Sequence, residues 1–173
     1  MVDQSELPFR MLTRRYGCTL AYTPMLHSKM MTTNKHYKSV HFTTCPEDRP
    51  LVAQICGNDP DTMVKAAKML EDEVDAIDIN FGCPQGIARR GHYGSFLLEE
   101  PDLVVKLVEA LSQNLKVPLF CKIRILKSEE KTMELVQRIE KAGCRLLTVH
   151  GRTKEQNKDK VGSCDWPIIK KIK

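Results

Sequence analysis

The sequence predicts an α/β protein, an incomplete TIM (β/α)8 barrel built on a parallel sheet. Short apolar runs typical of buried strands recur along the chain and alternate with amphipathic helical patterns. Strands that alternate with helices form right-handed βαβ units, which build parallel sheets. Polar side chains stand near the carboxyl ends of these runs, where α/β proteins place their functional groups.

Two closures of the sheet are compatible with this alternation. A doubly wound sheet that binds a dinucleotide would carry a G-x-G-x-x-G turn after its first strand, and this sequence has none. A barrel would place on one rim the side chains of Gln54, Asn80, Cys83, Lys122 and His150. We therefore favour the barrel.

The first half of the chain predicts two strands and two helices around a long irregular segment. The elements are, in order, a helix capped by Ser5 and ending at Gly17, a strand over Cys18 to Met25, a loop or irregular helix up to Asp48, a strand over Leu51 to Gly57, and a helix that opens at Asp59 or Pro60 and runs through Leu70. The first helix thus has almost no strand before it.

The central stretch, residues 76 to 98, combines a strand with a loop of unusual composition. The strand ends after an alternation of apolar and polar residues, and a loop rich in Gly, Cys, Pro and Arg follows. Gly82 lets the backbone turn and Pro84 fixes it, so the thiol of Cys83 is predicted to lie just past a strand end.

The second half predicts two further strands, each carrying cationic residues. The elements are a helix from Glu100 through Leu111, a strand over residues 118 to 126 interrupted by Lys122 and Arg124, a helix capped by Ser128 and stopped by Gly143, a strand over residues 145 to 153 that ends in His150, Gly151 and Arg152, and a short helix after Pro167. A lysine inside a strand requires a partner or a ligand.

The number of predicted units is smaller than a closed barrel needs. Eight βα units take about 250 residues, and the pattern here accounts for about five to six of them. We expect the first strand and the last strands of the barrel to be missing, so that residues 1–173 form a partial catalytic domain.

Composition excludes several classes of protein. The chain is 42% hydrophobic, with a formal net charge of +5 from 27 Lys and Arg against 22 Asp and Glu, which suits a polyanionic partner without requiring one. Its seven cysteines form no C-x-x-C pair, so they are expected to be mostly reduced, with no metal site and no disulfide framework. No secretory signal pattern or 18-residue apolar run appears, so no membrane association is expected.

Each candidate site residue has a functional and a structural interpretation. Cys83 could be a reactive thiol tuned by the nearby cations, or a small buried hydrophobe like the other cysteines. Lys122 could face an electron-rich ligand such as a flavin, or extend to the barrel end to pair with a carboxylate. His150 could equally serve only to cap a loop, and Gln54 only to satisfy backbone groups.

The loop after Cys83 mixes cations with an aromatic residue. Arg89, Arg90 and His92 precede Tyr93, a combination that could hold phosphates and stack on a base. A solvated loop explains the same residues equally well.

Four ordered motifs together closely resemble the tRNA-dihydrouridine synthases. They are DINFGCP at residues 78 to 84, GSFLL at 94 to 98, CKIR at 121 to 124 and TVHGRT at 148 to 153. The run CPQGIARRGHYG at 83 to 94 is similar to the eukaryotic branch that modifies uridines 16 and 17 of the tRNA D-loop. The resemblance extends over the whole chain, from Met1 to Lys173.

This resemblance implies an FMN-binding barrel in which NADPH or NADH reduces the flavin, followed by a helical domain that grips tRNA. Hydride would pass from flavin N5 to C6 of a flipped-out uracil while Cys83 protonates C5. By position-wise carry-over, the flavin contacts would be Met1, Val2, Gln54, Lys122 and His150, the uracil contacts would be Asn80 and Arg152, and the phosphate contacts would be Arg89 and Arg90.

The departures from the family pattern concern the ends of the chain. We expect three parts of the family pattern to be absent: the Ala-Pro that normally precedes the residue matching Met1, the later strand ends that bind the FMN phosphate, and the helical tRNA-binding domain. Such a chain would be a fragment or short isoform that binds FMN poorly and has impaired activity. We expect it to be a monomer in the cytoplasm, with the nucleus as a second compartment. A non-catalytic truncated protein and an FMN barrel enzyme acting on a free pyrimidine are the alternatives.

Overall fold

The computed structural model describes residues 3–173, which form one curved sheet of parallel strands with helices on its outer face. The strands are β1 (Ala21–Tyr22), β2 (Leu26–His27), β3 (Leu51–Cys56), β4 (Ala76–Phe81), β5 (Leu119–Arg124) and β6 (Leu146–His150). The helices are α1 (Leu7–Arg15), α2 (Ser28–Thr33), α3 (Tyr37–His41), α4 (Pro60–Lys68), α5 (Gly86–Gly91), α6 (Pro101–Asn114), α7 (Glu129–Lys141) and α8 (Trp166–Ile172). Short 3-10 turns lie at 71–73, 94–97 and 158–160.

The strands follow one another in chain order across the sheet. Both β1 and β2 pair with β3, followed by β4, β5 and β6, and every pairing is parallel. β1 and β2 are therefore two parts of one interrupted strand, and at the interruption the Thr23 hydroxyl accepts a hydrogen bond from the Gln54 backbone N–H at 3.1 Å. A doubly wound sheet would reverse its strand order, so the predicted barrel topology is confirmed.

The two faces of the sheet differ sharply in polarity. Residues that alternate along the strands on the helix side, such as Ile55, Ile79 and Ile123, are fully buried in the core with apolar residues of α4, α6 and α7. The opposite, concave face carries the polar residues of β3 to β6, because successive side chains of a strand point to opposite faces. The larger helices form one outer layer in which α4 contacts α6, α6 contacts α7 and α7 contacts α8.

Helix starts follow the capping pattern at the predicted positions Asp59 and Ser128, and also at Asp165, for which no cap was predicted. Asp59, Ser128 and Asp165 each accept a hydrogen bond from a backbone N–H in the first turn of the helix that follows. The prediction for α1 was wrong: its N-cap is Glu6, with no side-chain cap bond. Ser5 lies outside the helix, where its carbonyl accepts a hydrogen bond from the buried guanidinium of Arg10.

The segment left open between the first two predicted strands contains the short helices α2 and α3, followed by a buried ion-pair cluster. Asp48 is fully buried and accepts hydrogen bonds from Arg10, at 2.7 and 2.9 Å, and from Arg14 at 3.1 Å. This cluster ties α1 to the chain just before β3, so the first helix is held by charge pairing. Across the described part of the chain, the helices are all too short or too polar to cross a bilayer.

Candidate active site

A row of hydrogen-bonded side chains crosses the concave face from β3 to β4. The Gln54 amide donates to Asp78 Oδ2 at 2.7 Å, and the Asn80 amide donates to Gln54 Oε1 at 2.8 Å. Parallel pairing sets Gln54 directly beside Asp78, and the pleat brings Asn80 to the same face two residues further on. All three residues are buried, so their mutual bonds satisfy groups that water does not reach.

Asp78 is the charged member of this row, and its environment disfavours the ionised form. Burial raises the pKa of its carboxyl from 3.8 to about 6, although the Gln54 hydrogen bond and the positive charge of Lys122 act in the opposite direction. Burial likewise lowers the pKa of Lys122, against the opposing charge of Asp78. Asp78 Oδ1 is buried and has no hydrogen-bond partner among residues 3–173.

The loop that carries Cys83 is held by hydrogen bonds at both of its ends. Asn80 Oδ1 accepts from the backbone N–H groups of Gly82 and Cys83, each at 2.9 Å. On the far side, the Ser95 hydroxyl and the Ser95 N–H both donate to the Cys83 carbonyl, at 2.9 and 3.1 Å. Asn80 therefore joins the polar row to the thiol loop, which fixes where the thiol lies relative to the concave face.

Gly94 is required where the returning chain passes the thiol loop. Its φ is +66°, and a Cβ at this position would lie 2.8 Å from the Cys83 carbonyl oxygen. Any L side chain would be strained there by both conformation and contact. The close approach keeps Cys83 buried to 7% exposure while its loop remains at the carboxyl edge of the sheet.

Cys83 packs against a small cluster separate from the main core. This cluster contains Cys56, Ala88 and Tyr93, with Met25 and Phe96 packed around it. Tyr93 is 3% exposed, so the interpretation of its ring as a surface on which a base stacks was wrong. Burial, followed by the neighbouring thiols, raises its pKa to about 12.

The β5 and β6 strand ends bring three cations and an imidazole together. Arg124 lies beside His150 in register, and its guanidinium donates to the carbonyls of Gly82 and Thr153 at 3.0 and 2.9 Å. Arg152 lies 3.3 Å from His150 Nε2. Burial, together with the charges of Arg124, Lys122 and Arg152, lowers the pKa of His150 to about 4, so the imidazole is neutral at pH 7.

The structure thus brings most of the predicted site residues to one edge. Gln54, Asn80, Cys83, Lys122 and His150 share the carboxyl edge, with Arg152 directly after it. Arg89 and Arg90 lie on α5, and both are exposed. The remaining two predicted contacts, Met1 and Val2, lie outside the described residues. Among the described residues, no three His, Cys, Asp or Glu side chains are grouped as a metal site requires.

Two members of the site were not predicted as site residues. Asp78 carries a signal in the sequence, because an acidic residue inside a buried strand requires a partner, but its alternation with Ile77 and Ile79 also fits a half-exposed strand. Arg124 repeats the position of Lys122 two residues later, which places both on the same face. Its role in supporting the Gly82 carbonyl depends on contacts between strands that are distant in sequence.

The fold and site together define an α/β-barrel protein with amide, cationic and thiol side chains at the carboxyl edge of its sheet. The chain belongs to the dihydrouridine synthase (Dus) family, whose sequence profile matches residues 1–173. The resemblance seen in the four motifs is therefore confirmed.

Curated relatives indicate the branch of the family. The chain is 52% identical to the tRNA-dihydrouridine(16/17) synthase [NAD(P)(+)] of Saccharomyces cerevisiae, in a match that covers 100% of this chain and 42% of that protein. It is 50% identical to a Mus musculus protein named as like the 16/17 synthase, in a match that covers 100% of this chain and 37% of that protein. A human protein named as like the tRNA-dihydrouridine(20a/20b) synthases is 37% identical, covering 98% of this chain and 55% of that protein. The chain thus spans about two fifths of the length of the 16/17 relatives.

Solved structures of low sequence identity show the same fold. A truncated 3-deoxy-D-arabino-heptulosonate 7-phosphate synthase of Thermotoga maritima superposes with a TM-score of 0.54 at 11% identity, covering 99% of this chain and 56% of that one. A phospho-2-dehydro-3-deoxyheptonate aldolase of the same organism gives 0.52 at 12% identity, covering 99% and 44%. Both are TIM-barrel proteins, and the likeness concerns the fold alone.

Proposed function

We propose that the protein reduces uridine to dihydrouridine at positions 16 and 17 of the tRNA D-loop, with FMN as cofactor and NADPH or NADH as reductant. The observation that carries this proposal is the position of Cys83, whose loop is anchored by Asn80 to the polar row of the concave face. The names of the relatives, which contain tRNA-dihydrouridine(16/17) synthase and NAD(P)(+), support the substrate and the reductant.

The concave face fits a flavin by the chemistry of its donor set. Lys122 and Arg124 supply positive charge to a ring that becomes anionic on reduction, and the Gln54 amide offers polar contacts to ring atoms. The neutral His150 can accept or donate a hydrogen bond without adding charge. The unpartnered Oδ1 of Asp78 is a further buried atom that a bound group would satisfy. When bound, FMN supplies the hydride.

The side chains of this protein supply the proton and the positioning. The Cys83 thiol would donate its proton to C5 of the uracil, and Asn80 would hold both the thiol loop and the base edge in place. Gly94 and Ser95 prevent the loop from moving away from the sheet. Arg152, at the end of β6, would lie beside the uracil, and the exposed Arg89 and Arg90 of α5 would contact tRNA phosphates.

We also propose that the protein acts as a monomer in the cytoplasm, with the nucleus as a second compartment. The seven cysteines are all free thiols, which supports a reducing compartment.

The test compares Cys83→Ala with Cys18→Ala, a matched removal of a partly exposed thiol that precedes β1 at the opposite edge of the sheet. Unmodified tRNA is incubated with the protein, FMN and NADPH, and dihydrouridine is measured by mass spectrometry. Loss of a positioned proton donor predicts a fall of about 10²- to 10⁴-fold for Cys83→Ala with tRNA binding retained, and an unchanged rate for Cys18→Ala. Equal rates for the two variants would refute the role of Cys83, and no dihydrouridine from the flavin-loaded unsubstituted protein would refute the function.

A further inference from the structure

A second cavity, separate from the concave face, opens beside the thiol loop. Its volume is about 640 Å³, large enough for a nucleotide unit. It is formed where α2, the turn between β3 and α4, and the end of α5 meet. The lining side chains that bear on its chemistry are His27, Lys29, Asn58, Asp59, Arg90 and Tyr93. We call this cavity the α2–α5 cleft.

The α2–α5 cleft is separated from the thiol loop by one aromatic side chain. Tyr93 lines the cleft and also belongs to the cluster that buries Cys83. Its ring is edge-on to His27, with ring centroids 5.1 Å apart. A ligand in the cleft would therefore lie next to, and outside, the site proposed for the reaction.

The charge of the cleft is net positive, with two cations, Lys29 and Arg90, against one carboxylate. Lys29 and Arg90 are both exposed, and neither forms an ion pair or a side-chain hydrogen bond among residues 3–173. Asp59 is the one acidic residue in the lining, and its carboxylate accepts hydrogen bonds from the Thr62 N–H and hydroxyl as the cap of α4. His27 adds no charge at pH 7, because burial and the neighbouring Lys29 lower its pKa.

The remaining polar groups favour a phosphate over a base. The hydroxyls of Thr32 and Thr33 donate to backbone carbonyls of α2, whereas the two cations and the Asn58 amide are exposed donors that a ligand can reach. The ring of Tyr93 is covered, since a Cβ on Gly91 would lie 2.5 Å from it, and so it offers no stacking surface. Two cations and an amide without a stacking surface match a phosphodiester group.

We propose that the α2–α5 cleft binds a backbone phosphate of the tRNA strand next to the reduced uridine, with Lys29 as the principal contact. This inference rests on the proposed function and adds to it a contact on α2 that no motif in the sequence marks. A phosphate held here would fix the strand on the far side of Tyr93 from Cys83. Binding of this kind positions the strand and carries no information about base sequence.

The test measures tRNA binding by Lys29→Ala as a function of salt concentration. Lys141→Ala is the matched control, because Lys141 is an exposed lysine at the end of α7, on the opposite edge of the sheet. Loss of one phosphate contact reduces the slope of log Kd against log salt by about 0.9. The ratio of the Kd of Lys29→Ala to the Kd of the unsubstituted protein should therefore be about eightfold larger at about 0.1 M salt than at about 1 M salt. Lys29→Arg is expected to restore the slope, and Lys141→Ala to leave it unchanged.

The outcomes separate this inference from the proposed function. Equal slopes for Lys29→Ala and Lys141→Ala, with tRNA bound by both, would overturn the cleft contact and leave the proposed function standing. Weaker binding of NADPH to Lys29→Ala with an unchanged tRNA slope would assign the cleft to the dinucleotide and overturn the inference. Failure of the unsubstituted protein to bind tRNA would overturn the proposed function, and the inference with it.

Discussion

Replacement of Asp78 by asparagine should change the free energy of unfolding, relative to the unsubstituted protein, more favourably at neutral pH than at acidic pH. The Asp78 carboxyl is fully buried, and burial raises its pKa from 3.8 to about 6. The folded state therefore holds the proton over a pH window in which the unfolded state has lost it. The contribution of Asp78 to the free energy of unfolding is fully present below about pH 3.8 and is lost as the pH rises through about 6.

The magnitude follows from the two pKa values. Each pKa unit corresponds to about 1.36 kcal/mol, so full ionisation of Asp78 costs the folded state about 3 kcal/mol. Between about pH 4.5 and about pH 7.5 the linkage relation gives about 2 kcal/mol of that loss. Asn at this position cannot ionise and still offers an oxygen to the Gln54 amide. Asp78→Asn should therefore gain about 2 kcal/mol on the unsubstituted protein over this interval.

Urea denaturation of both proteins at the two pH values, without added flavin, measures this difference directly. Asp75→Asn is the control: burial alone would raise the pKa of Asp75, but hydrogen bonds from Arg49 and the Leu51 N–H lower it below its ordinary value of 3.8. The contribution of Asp75 to stability therefore changes only below about pH 3.8, so the difference between this variant and the unsubstituted protein should be the same at about pH 4.5 and about pH 7.5. A constant difference between Asp78→Asn and the unsubstituted protein at the two pH values would refute the reasoning.

Three further predictions test other contacts. Asp48→Ala leaves the guanidinium of Arg10 buried without its counter-ion, so the free energy of unfolding should fall by about 3 to 5 kcal/mol in urea denaturation. An unchanged midpoint would show that the ion pair does not stabilise the fold. Gly94→Ala places a Cβ against the Cys83 carbonyl at positive φ, and the strain of about 1 to 3 kcal/mol should slow dihydrouridine formation more than it weakens tRNA binding. The imidazole of His150 should titrate at about pH 4 in NMR spectra, and an inflection near its ordinary value of 6.5 would contradict its burial among cations.

The strands and the site edge could be predicted because their signals are local. Alternation and apolar runs indicate strands directly, and a parallel sheet places all carboxyl ends at one edge, so Gln54, Lys122 and His150 were grouped without coordinates. The caps at Asp59 and Ser128 were equally readable, because a capping side chain bonds to its own first helical turn.

The features that were missed depend on contacts between distant residues. The helix α5, of six residues, is too short to show an apolar period, and its loop composition indicated only a turn. Tyr93 is buried by Cys56 and Cys83 from two different strand ends, which its neighbours in sequence do not reveal. The alternation of Asp78 with apolar residues is also typical of a strand with one exposed face. Only the hydrogen bond from the Gln54 amide, on another strand, shows that Asp78 is a member of the site.

The order of the strands has a consequence for how the chain acquires its structure. Each strand from β3 to β6 pairs with the strand directly before it in sequence, so the sheet is assembled from neighbouring βα units. The pairings of β3 with β4, β4 with β5 and β5 with β6 join residues 24, 42 and 26 positions apart, as in Val52 with Ala76, Ile77 with Leu119 and Phe120 with Leu146. Each pairing therefore costs the closure entropy of a whole helical crossover before its contacts stabilise the sheet, which makes parallel sheets slow to form. During synthesis, each βα unit can add to the edge left by the one before it, so the buried row between β3 and β4 forms before β5 supplies its lysine.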